Sequence, residues 1–277
     1  MKNYLSYLKS KWREDLRYFQ LYKKKTGIGF AEYWRLKFYN DNRETSLFNK
    51  PIQAPDAFWH LHSLYEIFIE ETYKFKTSNP RPLIIDCGSN VGLSIIYFKR
   101  SHPAARVIGF EPDPEIFMMM QRNLKQFEFS GVELVNKAVW IDEGELSFNS
   151  SGALGGAIEF KQSTTKSKTV VETVRLKNYL KDQRIDFLKI DVEGAEFEIV
   201  NDCLDELSNV DRIFIEYHRA NGAQNLAGEF IDKLEKAGFR VYIKEAWNNL
   251  PHPYCYEDFK PMYDLQLNIF GYRTGAA

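Results

Sequence analysis

Two groups of residues in this 277-residue chain combine types and spacings that chemistry can use. In the first, the apolar run "LIID" ends in Asp86, followed by Gly88, Ser89, Asn90 and Gly92; the next apolar run, "RVIGFE", ends in Glu111 beside Pro112. In the second, Asp191 and Glu193 follow "FLKI", while Glu216 and His218 follow "RIFI". A glycine turn just beyond a strand is where an open parallel sheet holds a nucleotide-containing ligand. Carboxylates beside an imidazole suit proton removal from a hydroxyl near neutral pH.

The turn itself discriminates between cofactors. A dinucleotide site needs G-x-G-x-x-G, whose second glycine lets backbone approach the pyrophosphate and whose third lets helix pack on strand. Asn90 and Leu93 stand at those positions. The Asp86 charge repels a pyrophosphate and attracts an ammonium or sulfonium, so S-adenosylmethionine fits better than a nicotinamide dinucleotide. Glu111 lies about 20 residues past the turn, where an acid accepts hydrogen bonds from two ribose hydroxyls in either cofactor.

Positioning these groups requires strands that end on one edge. From Leu83 onward, short apolar runs alternate with helical patterns: "LIID", a helix over 93–100, "RVIGFE", a helix from Pro114 to about Phe127, and "VELVNKAV" as one strand. Then come "FLKID", "RIFIEYH", a helix through Phe230 and Leu234 stopped by Gly238, and the strands "RVYIKEA" and "LQLNIFGYR". This alternation predicts a mostly parallel sheet with helices on both faces. "GELSFNSSGALGGAIEF" and "TVVETVRL" read as an inserted pair of strands around a Gly- and Ser-rich stretch. Along "KIDVE", Lys189, Asp191 and Glu193 alternate onto one face if the strand runs that far.

Before residue 80 the periodicity is helical. Leu5, Leu8, Trp12, Leu16 and Phe19 recur every three or four residues with Lys and Arg between them, an amphipathic basic helix. A second helix over 56–76 is signalled by Pro55-Asp56 and a stripe including Phe58, Leu61, Tyr65, Phe68 and Phe75. Residues 1–54 are therefore expected as a basic helical extension and 55–277 as the α/β domain. The first 50 residues carry twelve Lys or Arg against five Asp or Glu, a surplus of seven; the whole chain is at −1, which leaves the rest at minus eight.

An acidic catalytic half argues against nucleic acid as a partner. No stretch approaches the roughly 18 apolar residues that span a bilayer. With three cysteines and no C-x-x-C spacing, Cys87, Cys203 and Cys255 read as reduced thiols. A cytoplasmic protein is expected, with the basic helix as a candidate contact to the inner membrane face or to a second copy.

Taken in order, "IIDCGSNVGLSIIYF", "VIGFEPDPEIF", "NKAVWIDEGELSF" and "IDFLKIDVEGAEFEIV" resemble the FkbM-type S-adenosylmethionine-dependent methyltransferases, from about residue 55 to the C-terminus. The resemblance implies a Rossmann-like class I methyltransferase fold: a seven-stranded, mostly parallel sheet whose last strand runs antiparallel. It implies that Asp86, Gly88, Asn90 and Gly92, with Ser89 between them, contact the methionine part of S-adenosylmethionine. Glu111 and Pro112 then face the ribose, and the segment Ala138, Val139 and Trp140 lies near adenine, with Asp142 a further candidate for its amino group. It favours O-methylation, here of a sugar hydroxyl in a bacterial surface glycan or related natural product.

The acceptor site is expected among Asp191, Glu193, Glu216 and His218, with Trp247, Tyr254 and Tyr256 as a stacking platform for a small-molecule or glycan acceptor. Asp191, Glu193 and Glu216 could also hold a divalent cation, although no spacing here is diagnostic of a metal. Two other readings share the sheet: an NAD-linked reductase, and a non-catalytic, membrane-associated assembly protein.

Overall fold

A computed structural model of the chain describes residues 2–39, 44–149, 168–258 and 261–274. At the N-terminal end, helices α1 (Lys2–Thr26) and α2 (Phe30–Phe38) precede a hairpin of β1 (Glu44–Leu47) and β2 (Lys50–Gln53). Helix α3 (Ala57–Leu64) begins where the Asp56 side chain accepts the Trp59 N–H, and runs straight into a π-helical turn, Tyr65–Ile69. The helix expected over 56–76 thus ends early: the π turn closes on Glu70, Glu71 takes φ +56°, and the Thr72 N–H bonds back to the Glu66 carbonyl.

The alternating part then follows: β3 (Leu83–Cys87), α4 (Leu93–Ser101), β4 (Arg106–Phe110), α5 (Pro114–Lys125) and β5 (Val132–Val135). Next come β6 (Ala138–Trp140), β7 (Gly144–Asn149), β8 (Lys168–Arg175) and α6 (Lys177–Leu180). The chain finishes with β9 (Phe187–Ile190), α7 (Glu196–Asp202), β10 (Arg212–Ala220), α8 (Ala227–Lys236), β11 (Arg240–Trp247) and β12 (Tyr263–Tyr272).

Seven strands form one sheet in the order β11-β12-β10-β9-β3-β4-β5. The β5, β4, β3, β9 and β10 ladders are parallel, while β12 is antiparallel to both neighbours, β10 and β11. This is the Rossmann-like class I methyltransferase sheet that the sequence implied, with N-terminal helices. Strand alternation sorts β3 onto two cores: Ile85 and Cys87 join one apolar cluster, and Ile84 the other. The N-terminal helices share the second cluster, where Phe19, Tyr22, Tyr33 and Leu36 are buried together with Phe98.

One expected strand is two. "VELVNKAV" breaks at Asn136, whose side-chain amide donates to the Glu111 carbonyl at 2.8 Å, and the chain leaves the main sheet. Ala138, Val139 and Trp140 then pair with β8, which also pairs with β7, making a separate three-stranded sheet. The expected inserted strand pair is therefore present as β7 and β8; its Gly- and Ser-rich connection, 150–167, lies outside the described residues. Cys87 and Cys203 pack as apolar groups, and Cys255 is exposed.

Candidate active site

The turn after β3 is shaped for close approach. Gly88 has φ +82°, and a β-carbon there would stand 1.8 Å from the Asp191 carbonyl oxygen. No other residue type fits between these two strand ends. Asn90 (φ +48°) and Gly92 (φ +89°) complete the turn, and Gly92 caps α4. Ser89 is buried and its hydroxyl donates to the Asp86 carbonyl at 3.0 Å.

Asp86 has no exposed surface, and its surroundings partly absorb its charge. Oδ2 accepts the Ser94 hydroxyl at 2.5 Å, and Oδ1 lies 3.3 Å from Lys189 Nζ. That second approach is an ion pair without hydrogen-bond geometry, so Oδ1 keeps an acceptor position with no hydrogen-bond partner. Lys189, equally buried, also reaches Asp191 Oδ2 at 3.2 Å and donates to the Gly88 carbonyl at 2.8 Å. Burial opposes its charge, but Asp191 and Asp86 hold the ammonium above its ordinary range.

Glu111 braces the same turn. Its Oε2 accepts the Asn90 N–H and its Oε1 the Asp113 N–H, both at 2.9 Å. Burial pushes its carboxyl up to about 7 against these two bonds. Asp113 in turn caps α5.

On the other side of β3, β9 ends at Ile190, short of the acids. Glu193 sits at φ +60° and Gly194 at φ +109°, so a tight loop, rather than an extended strand, delivers Asp191 and Glu193. Glu196 holds this loop: fully buried, its Oε1 accepts the Val192 and Gly194 N–H groups at 3.2 and 2.9 Å. The same oxygen lies 3.1 Å from His218 Nδ1. His218 Nε2 faces Glu216 Oε1 at 3.4 Å and Glu193 Oε2 at 3.6 Å. Burial works against a charged imidazole, but Glu193 and Glu196 raise it well above its ordinary value, so His218 is an imidazolium among carboxylates. Tyr263 packs on its ring at 4.9 Å with the planes tilted by 52°, and donates to the Glu193 carbonyl at 3.1 Å. Enclosure, opposed by His218 and helped by Asp191 and Glu216, pushes Glu193 up to about 8.

These residues surround one cavity of about 470 Å³. Gly88, Ser89 and Asn90 line it, together with Asp191, Glu193, Glu216 and His218. Asp86, Gly92, Glu111, Pro112, Ala138 and Val139 do not line it. Asp86 reaches the cavity through Lys189 and Glu111 through Asn90, while Ala138, Val139 and Trp140 are buried in the smaller sheet. Asp142 is exposed nearby.

The cavity also has a wall that sequence reasoning missed. Trp59 and His62 of α3 and Glu66 of the π turn line it. Trp59 and Trp247 meet at 5.5 Å, and His62 meets Trp247 edge-on at 5.1 Å. Glu66 accepts the Asn268 amide at 3.0 Å and is pushed up to about 8, by burial first and then by Glu216. Pi-helical turns recur at functional sites because they redirect single side chains; no sequence signal marked this one. Of the expected platform, Trp247 takes part and Tyr254 is fully exposed, while the Tyr256 side chain lies outside the described residues.

The cavity is lined with ionisable groups. Four carboxylates, of Glu66, Asp191, Glu193 and Glu216, face the cavity. Its cations, Lys189 and His218, are both engaged by carboxylates, and burial holds His62 in its neutral form. Glu66 and Glu193, both pushed up to about 8, hold protons near neutral pH, so the lining offers hydrogen-bonding acids and two paired cations. Ligand atoms of Asp191, Glu193 and His218 come within 4.8 Å of one another; this differs from the expected Asp191, Glu193 and Glu216 set, and a protonated His218 has no lone pair to give a metal.

Sheet order, glycine turn and carboxylate-rich cavity define an S-adenosylmethionine-dependent methyltransferase. The methyltransferase FkbM domain family matches residues 86–241. The chain belongs to that family, its cofactor is S-adenosylmethionine, and the nicotinamide reading falls away. It is 27% identical over 203 residues to "Methyltransferase 1" of Beauveria bassiana, covering 65% of this chain and 80% of the relative. Identity to "Methyltransferase sdnD" of Sordaria araneosa is 30% over 169 residues, covering 49% and 65%. "2-O-methyltransferase NoeI" of Sinorhizobium fredii is 27% identical over 157 residues, covering 50% and 64%. Among solved structures, a precorrin-6y C5,15-methyltransferase from Geobacter metallireducens superposes with a TM-score of 0.41 at 15% identity, over 70% of this chain and 81% of that one.

Proposed function

We infer that the chain transfers a methyl group to a hydroxyl of a sugar, in a surface glycan or related natural product. The observation that carries this reading is a single cavity lined by the glycine turn, by Glu193 and His218, and by the Trp59–Trp247 pair. Indole faces stack on the apolar face of a sugar ring, and carboxylates accept hydrogen bonds from its hydroxyls. The name of the Sinorhizobium relative, a 2-O-methyltransferase, agrees with oxygen as the acceptor atom.

In this reading the Asp86 to Gly92 turn holds the methionine part, and Glu111 the ribose. The segment Ala138, Val139 and Trp140 lies toward the adenine. When bound, S-adenosylmethionine supplies a methyl group on a sulfonium, ready for in-line displacement. The chain's part is alignment and proton removal. Glu193, with a carboxyl pushed up to about 8, is matched to take a hydroxyl proton near neutral pH onto Oε2. His218, 3.6 Å away and clamped by Glu196, holds that carboxylate in place and stabilises its charge beforehand. Asp191 and Lys189 fix the spacing between the glycine turn and the loop after β9.

Mass spectrometry of nucleotide sugars, free oligosaccharides and lipid-linked glycans, each incubated with enzyme and cofactor, tests the reading. A gain of one methyl group on a sugar oxygen is expected. A methyl found only on nitrogen or carbon, or on none of these acceptors with an active cofactor-binding enzyme, overturns it.

A further inference from the structure

The N-terminal helices expose an aromatic face that the fold does not use. Helix α1 splits its apolar stripe: Phe19 and Tyr22 are buried against the domain, while Trp12 is 53% exposed and Leu16 38%. Helix α2 adds Phe30 at 51% and Phe38 at 65%, with Tyr39 just beyond at 66%. These rings are contiguous. Trp34 contacts Trp12 at 5.2 Å and Phe30 at 5.9 Å, and lies flat on Phe38 at 5.6 Å with 6° between the planes. Monomeric soluble proteins seldom leave such a patch without a partner.

The surrounding charge selects the partner. Residues 1–39 contain ten Lys or Arg and three Asp or Glu, a surplus of seven, in a chain whose overall charge is −1. Lys23 and Lys24 are exposed at the end of α1, and Lys37, paired with Asp15, lies 5.5 Å from the Trp34 ring centre. A second copy presenting the same face would meet like charge. Aromatic rings bordered by Lys and Arg match the headgroup region of an anionic bilayer, where indole and phenol rings settle and basic side chains meet lipid phosphates.

The location of the face adds to this. Tyr18 and Tyr22 of α1 pack on Tyr65 of the π turn, and the Tyr22 hydroxyl donates to the Leu61 carbonyl at 2.9 Å. Helices α1 and α2 are thus mounted on the α3 and π-turn segment that also supplies Trp59, His62 and Glu66 to the cavity. Phe58, 54% exposed, meets both Trp59 and Trp247 edge-to-face beside the cavity wall.

We propose that the aromatic and basic face of α1 and α2 is a peripheral membrane-binding surface for anionic lipid, mounted on the same segment that walls the acceptor cavity. It places the enzyme in the headgroup plane without a spanning helix; among the described residues none is long and apolar enough to cross a bilayer. The surface does not depend on which acceptor is methylated.

Vesicle flotation of the full chain tests it, with vesicles of phosphatidylcholine alone or mixed with phosphatidylglycerol. Binding to the mixed vesicles is expected and should weaken with salt. Lys23→Gln with Lys24→Gln should lower the partition coefficient roughly 25-fold, taking about fivefold per cation. Trp12→Ser with Phe38→Ser should abolish binding while leaving S-adenosylmethionine affinity unchanged, which shows that the variants fold. Absence of binding to mixed vesicles at low salt, or binding that neither pair of substitutions alters, overturns the proposal. So does a dimer in light scattering that the Trp12 and Phe38 substitutions dissolve, or nucleic acid that competes all lipid away.

Discussion

A β-carbon on Gly88 would stand 1.8 Å from the carbonyl oxygen of Asp191, so the glycine turn after β3 and the loop after β9 are in backbone contact. The two are therefore built as one unit. Gly88→Ala must push β3 away from the end of β9 and adopt φ +82° with a side chain. We expect it to cost about 2 kcal/mol or more of stability and to remove cofactor binding together with turnover. Thermal melts and calorimetry check this; a variant with wild-type cofactor affinity would show that the contact yields easily.

Lys189 carries the compensating charge between Asp86 and Asp191. Replacing it with Met leaves two carboxylates, one of them fully buried, facing each other without a cation. A loss of about 3–5 kcal/mol is expected in denaturant unfolding. Adding Asp86→Asn to Lys189→Met should recover part of that loss, because it removes the more deeply buried charge. Equal stability of Lys189→Met and wild type would mean that the pair contributes nothing net.

Stability should depend on pH through several groups acting in one direction. Glu66 and Glu193 are raised to about 8, Glu111 to about 7, and His218 well above its ordinary range. Each binds its proton more tightly in the folded chain, so each contribution is present below the unfolded-state value and is lost as pH rises through the folded one. For the cofactor-free protein, the melting temperature should fall steadily from about pH 5 to pH 9, each group adding up to about 1.4 kcal/mol per pH unit within its window. The Glu66→Gln and Glu193→Gln variants should flatten the upper part of that fall; a rising or flat profile in wild type would contradict it.

We expect Glu66, which lines the cavity with Trp59 and His62, to contact the acceptor and not the cofactor. Glu66→Gln keeps an acceptor for the Asn268 amide but removes the ionisable carboxyl, so S-adenosylmethionine affinity should stay within about twofold and the acceptor KM should rise about tenfold or more above pH 8, where wild-type Glu66 is ionised. Steady-state kinetics separates the two; an unchanged KM would remove Glu66 from the acceptor site.

The sheet was readable because its signals are local. Apolar runs of four or five residues, each followed by a glycine or an acid, give β3, β4, β9 and β10 almost residue by residue, and Gly238 marks the end of α8. The antiparallel last strand came from the family resemblance. What escaped was non-local. Nothing in "HSLYEIFIE" announces a π turn, whose Tyr65 packs against Tyr18 and Tyr22 from the distant α1. "VELVNKAV" looks continuous, yet Asn136 is captured by the Glu111 carbonyl and the strand divides. Asp86 was legible as an acid at the turn, but its neutralisation by Lys189 required knowing that β3 and β9 are neighbours.

The central claim is that Glu193 and His218 act on the acceptor in a cavity that also holds the cofactor. It is tested most directly by measuring, on Glu193→Gln, both S-adenosylmethionine affinity by calorimetry and methyl transfer by mass spectrometry to an acceptor of the wild-type enzyme. The expected result is affinity within about threefold of wild type and turnover lowered by about a hundredfold or more. Turnover at the wild-type rate, or affinity and turnover lost in equal measure, would contradict it.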